Sequence, residues 1–136
     1  MIRDIVKDTF FLGQKSEEAT KQDMLILQDL RDTLAEHRDS CVGMAANMIG
    51  YRKRIIIVAL GFADMVMLNP VIVQRSGPYE TEEGCLSLQG VRKTKRFRKI
   101  RVKYLDEAFQ PQTREFEGAV AQIIQHECDH LDGIVI

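Results

Sequence analysis

The sequence predicts an α+β fold, with mixed or antiparallel β-sheets packed around a C-terminal helix. Two observations carry this reading. Strand-like runs crowd the middle of the chain with no helical pattern between them, and a helical pattern carrying the motif "HECDH" comes last. Strands grouped first and a helix late do not make the alternation that a parallel α/β sheet needs.

Each element has its own local signal. In "TKQDMLILQDLRDTLAEHRDS", Thr20 and Asp23 have the spacing of an N-terminal capping pair, and Leu27, Leu30 and Leu34 recur at helical intervals. "CVGMAANMIG" follows and ends on Gly50. "RIIIVAL" and "MVMLNPVIVQ" are rich in β-branched residues and read as strands, with Pro70 predicting an edge or a bulge. The segment "TEEGCLSLQG" is punctuated by Gly84 and Gly90. In "RKIRVKYLD", Ile100, Val102 and Tyr104 alternate with Lys99, Arg101 and Lys103, the period of a half-buried strand. The last helix is expected from about Glu117 to Asp132, with Gly133 at its stop.

Bulk properties narrow the setting. A chain of 136 residues without repeats or linkers is read as a single domain spanning 1–136. Its 45% hydrophobic and 29% charged content is that of an ordinary globular domain, and a net charge of -1 gives no pull toward a polyanion. Cys41, Cys85 and Cys128 form an odd set, so no disulfides are expected and a reducing, cytoplasmic setting is. The apolar run "IIIVALGFA" is far below the roughly 20 residues that span a bilayer, so no membrane partner is expected.

The chemistry concentrates in "QHECDH". Positions four apart lie on one helix face, so His126 and His130 can offer two imidazoles to one ion. Glu127 stands beside them, placed to take a proton from a water. A catalytic site of this kind needs a third protein ligand and an open position, and Cys85 in "EGCLS" is the candidate. Cys128 points off the histidine face and reads as packing, and His37 as a solvated helix-end residue.

"EGCLS", "QHECDHLDG" and the earlier "GMAA" together resemble the peptide deformylase family. "LNPVI" and the strand from Arg96 to Asp106 extend the likeness over most of the chain from about residue 41. The resemblance implies a metal-dependent hydrolase that removes the formyl group from the N-terminal formyl-methionine of new polypeptides. It implies Cys85, His126 and His130 as ligands, Glu127 as the proton-handling residue and the Leu86 backbone N–H as an oxyanion donor. It implies ferrous iron, with zinc or nickel able to occupy the site, whereas ligand softness alone points to zinc. Val42, Gly43, Gly84, Met48 and Ile123 would contact the substrate, an N-formyl-Met peptide, with Ile124 as a further wall candidate. Contact with the ribosome would be transient.

Two positions depart from the family pattern. Met48 stands where the family has a glutamine that donates to the oxyanion, and Cys41 replaces the first glycine. A thioether donates no hydrogen bond, and loss of one such donor typically costs about 2.7–4 kcal/mol of transition-state stabilisation. Asn47 is one residue off and needs a local shift to substitute. A weak deformylase-like protein that binds formylated peptides is therefore one rival reading. A metallopeptidase is another, since H-E-x-x-H occurs there too. The cations Arg92, Lys93, Lys95, Arg96, Arg98, Lys99, Arg101 and Lys103 allow RNA contact, but their alternation fits the solvated face of a hairpin better.

Overall fold

The computed structural model describes residues 1–135. The elements run α1 (Thr9–Leu12), α2 (Leu25–Glu36), β1 (Gly43–Ala45), β2 (Ile55–Ala59), β3 (Asp64–Cys85), β4 (Leu88–Leu105), β5 (Pro111–Glu117) and α3 (Gly118–Leu131). The five strands form one sheet in chain order, each antiparallel to the next. The expected mixed character shrinks to an isolated parallel bridge between Glu17 and Lys53.

The Thr20 capping pair forms, but it caps a 3₁₀ turn over Lys21–Asp23 that leads into α2. Leu27, Leu30 and Leu34 then face the core, as their spacing requires. β2 is apolar without alternation because both of its faces are covered, and Ile55, Ile56, Ile57 and Val58 are fully buried. α2 packs on β1 and β2, while α3 packs on β1, β2, β4 and β5. The HECDH motif therefore lies on a helix held against four strands.

Pro70 lies within a register shift between Leu68 and Val71, with Asn69 at φ 51°. The ladder hydrogen bond that a proline cannot make is missing there, so the bulge answers the sequence signal. β3 then runs on to Cys85, turns at Leu86 and Ser87, and returns as β4. "TEEGCLSLQG" is thus the closed end of a long hairpin, and Cys85 sits at its tip. On β4, Ile100, Val102 and Tyr104 are buried as their alternation predicts.

Several cations of this hairpin stand next to acids of β3 or β5. Lys93 lies opposite Glu82 and Lys95 opposite Glu80, and Lys99 and Arg101 both reach Glu115. Pairing of this kind is the solvated hairpin face expected from the alternation.

α3 is secured at its middle and at its C-terminal end. Gln125 donates to the Phe97 and Ala121 carbonyls and accepts from Phe97 N–H at 2.8 Å, which stitches the helix to β4. Gly133 ends the helix at φ 78°, where a Cβ would lie 2.6 Å from the Gly13 carbonyl oxygen. No helix among the described residues is long and apolar enough to cross a membrane.

Ile124, fully buried behind the motif, gives a direct test of this packing. Ile124→Ala is expected to lower the unfolding free energy by about 2–5 kcal/mol in urea denaturation. Leu25→Ala, at an exposed position, should change it by no more than about 0.5 kcal/mol.

Candidate metal centre

Cys85 comes from the hairpin tip, and His126 and His130 from successive turns of α3. Their ligand atoms all lie within 4.8 Å of one another. Cys85 Sγ is 3.4 Å from His130 Nε2, which is 3.0 Å from His126 Nε2. A thiol sulfur and two imidazole nitrogens turned toward one point form a donor set suited to a divalent transition metal. The orientation of His126 fits this, because its Nδ1 is bound to Glu83 Oε1 at 2.7 Å and only Nε2 faces the other donors.

Burial favours the neutral imidazole in both histidines, but their surroundings differ. Hydrogen bonds to Cys85 and Glu83 and the charge of Glu127 outweigh burial at His126 and raise its pKa. Burial, His126 and Arg96 lower that of His130. His126 therefore carries the pair's extra proton, on the Nε2 that faces His130, and an ion would displace it.

Glu83 anchors this arrangement. Burial alone would raise its pKa, yet donors from His126, Arg96 and Gln122 hold the carboxyl down at about 2. Arg96 is only 4% exposed and reaches Glu83 at 2.7 Å and Asp129 at 2.6 Å. One guanidinium thus joins the hairpin to the motif helix through acids that belong to both.

Glu127 is also buried but has no such partner. Its Oε1 makes no hydrogen bond among the described residues, and burial pushes its carboxyl up to about 7. It lines a cavity of about 650 Å³ together with Cys85, Leu86 and His126. A carboxyl poised near neutrality at the wall of such a cavity is suited to general acid–base work. Its position depends on Gly43 in β1, where an added Cβ would lie 2.6 Å from Ile123 Cγ2 and 3.1 Å from Glu127 Oε2.

The five residues expected to contact substrate, Val42, Gly43, Gly84, Met48 and Ile123, all line the cavity. Cys41 lines it too, its thiol pushed up to about 11 by burial. Ile124 lies in the core instead, and Cys128 packs there as expected. The Leu86 N–H has no backbone partner among the described residues.

At the departing position, Met48 Sδ accepts from Ala45 N–H at 3.5 Å. Asn47 does not take over the missing donor role, because its amide donates to the His130 carbonyl at 2.9 Å. Sequence reasoning passed over Gln122, Gln125 and Tyr79. Tyr79 donates to Gln122 Oε1 at 3.1 Å, and Gln122 donates to Glu83 Oε2 at 2.8 Å. Their only sequence signal was that Gln122 and His126 share a helix face.

The buried ion cluster carries a stability prediction. Arg96→Met leaves Glu83 and Asp129 without their shared cation. It is expected to destabilise the fold by about 3–5 kcal/mol in urea denaturation.

This geometry has relatives. The family model described as polypeptide deformylase matches residues 3–136. The chain is 57% identical to a peptide deformylase of Clostridium beijerinckii over 136 residues, 100% of both chains. It is 40% identical to peptide deformylase 1 of Clostridium perfringens over 114 residues, covering 82% of this chain and 76% of the relative. Among solved structures, a Met-Ala-Ser-bound class I type b peptide deformylase from Acinetobacter baumannii superposes with a TM-score of 0.90 at 28% identity. That match covers 99% of this chain and 97% of the other. The peptide deformylase of Thermus thermophilus superposes with a TM-score of 0.85 at 34% identity, covering 99% and 83%. Sequence and structure agree over essentially the whole length, and the chain belongs to the polypeptide deformylase family.

Proposed function

We propose that this protein is an active, metal-dependent peptide deformylase acting on N-formyl-methionyl peptides, with 1–136 as one catalytic domain. The observation that carries the reading is the unpartnered Glu127 carboxyl, buried in the cavity wall beside the cluster of Cys85, His126 and His130. Bound there, a divalent ion would supply Lewis-acid activation of water and of the formyl carbonyl. We assign the metal as ferrous iron on the family resemblance, against the zinc that ligand softness suggests.

The chain's own residues supply the rest. Glu127 accepts a proton from water as the formyl carbon is attacked, and returns it to the leaving amine. Leu86 N–H, without a backbone partner among the described residues, would donate to the developing oxyanion. Val42, Gly43 and Gly84 flank the peptide backbone, Ile123 forms apolar wall for the methionine side chain, and Met48 lines the cavity at the position of the family's oxyanion glutamine. The A. baumannii structure is bound to Met-Ala-Ser, which supports a peptide as the ligand class. The reading brings a cytoplasmic location with it, where new chains carry the formyl group. Ribosome contact is not part of it, and Lys93 and Lys95 lie opposite Glu82 and Glu80 in the hairpin register.

The thiol at Cys85 and the intact "EGCLS" argue against a metallopeptidase. The two are separated by offering one preparation a formyl-Met tripeptide, its acetyl counterpart and an internal peptide bond. Turnover of the formyl peptide alone is expected. Cleavage of the internal bond would overturn the assignment. Glu127→Gln should keep its metal and lower kcat by about 10²–10⁴-fold.

The altered oxyanion site makes its own prediction. Met48→Gln restores a donor and should raise kcat/KM toward formyl-Met peptides by up to about 10²-fold. An unchanged rate would mean that the thioether at this position does not limit turnover.

A further inference from the structure

Outside the residues already given roles, one hydrogen-bonded chain leads from the hairpin surface to the His126 imidazole. Tyr79 and Glu83 lie four apart on β3 and so share a sheet face. Gln122 and His126 lie four apart on α3 and share a helix face. The two faces meet, and the contacts run from Tyr79 OH to Gln122 Oε1 at 3.1 Å, from Gln122 Nε2 to Glu83 Oε2 at 2.8 Å, and from Glu83 Oε1 to His126 Nδ1 at 2.7 Å. The amide orientation is dictated by these neighbours, because only Nε2 can donate to the carboxylate.

Glu83 divides its oxygens between these partners. Oε1 takes His126 together with Arg96 Nη2 at 2.7 Å and Nε at 3.1 Å, whereas Oε2 takes Gln122 and Arg96 Nε at 3.0 Å. Arg96 holds the carboxylate from one side, through Nε and Nη2. Gln122 binds Oε2 from α3 and adds a second anchor to the carboxylate plane. It holds the carboxylate plane so that Oε1 stays on His126 Nδ1, which leaves Nε2 as the atom turned toward Cys85 and His130. The Tyr79 hydroxyl fixes the amide in turn, and its ring is pinned by Arg98, 5.2 Å from the ring centroid.

The geometry points to Gln122 and Tyr79 as positioning residues that act through Glu83 to orient His126 for metal binding. This rests on the metal-site reading proposed above. Gln122 also lines the substrate cavity, so activity alone would confuse a lost wall contact with a lost ligand orientation. The discriminating readout is the metal.

The probe is Co²⁺, titrated anaerobically into full-length apoprotein against a competing chelator and followed by thiolate charge-transfer and d–d absorption. Gln122→Met is expected to raise the Co²⁺ dissociation constant about tenfold, the lower end for a residue supporting a ligand. Its absorption bands should shift. Tyr79→Phe should act in the same direction but less strongly. The double variant should be no worse than Gln122→Met alone, because Tyr79 acts only through the amide.

Co²⁺ binding as tight as the parent's with an unshifted spectrum, even where thermal stability has dropped, would overturn the proposal. Additive losses in the double variant would overturn the linear order. If Gln122→Met does not fold, Tyr79→Phe carries the same test on an otherwise unaltered cavity. If the parent itself fails to bind Co²⁺, the metal-site reading falls and this proposal with it. Tight parental binding with unaffected variants removes this proposal alone.

Discussion

The buried carboxylate of Glu83 is the interaction on which the site depends. A carboxylate with little access to water survives only if its charge is met, and Arg96 and His126 meet it within a few ångströms. The arrangement also decides geometry. Glu83 stands two residues before Cys85 on β3, while His126 is on α3, so one contact sets the hairpin tip against the helix. Arg96 adds a second tie through Asp129. The three metal-type donors converge because the elements carrying them are bolted together just beside them.

Close approach is the second constraint. Glu127 reaches the cavity wall only because β1 passes it at Gly43, where no side chain intervenes. Gln125 binds the backbone of β4 at Phe97 and holds α3 at that depth. Consecutive residues of the motif helix therefore have different tasks. Gln125 docks the helix, His126 faces the donor cluster, Glu127 is left without a partner and Cys128 fills the core. The unpaired Glu127 would be a liability in a domain built only for stability, and it makes sense as the reactive group of the cavity.

The elements whose period matches their burial were legible in the sequence. Leu27, Leu30 and Leu34 predicted α2, and Ile100, Val102 and Tyr104 predicted β4, because one covered face imprints its period on the chain. The donor set of Cys85, His126 and His130 was legible through spacing and motif. What stayed hidden depends on contacts far apart in sequence. The pairing of Glu82 with Lys93 requires knowing that "TEEGCLSLQG" is the end of a hairpin. The partner of Asn47 is a carbonyl 83 positions away. The different fates of Ile123 and Ile124, cavity wall and core, follow from about 100° of helix rotation that the sequence does not orient. Gln122 and Tyr79 carry no motif, and only the hairpin's return to α3 brings them together.

The central claim is that one ion sits between the hairpin tip and the motif helix, and X-ray absorption on anaerobically purified protein tests it most directly. The account predicts one metal per chain, with one sulfur and two imidazole nitrogens in its coordination shell. The sulfur should disappear in Cys85→Ser. A shell without sulfur in the parent protein, or a sulfur that persists in Cys85→Ser, would contradict it.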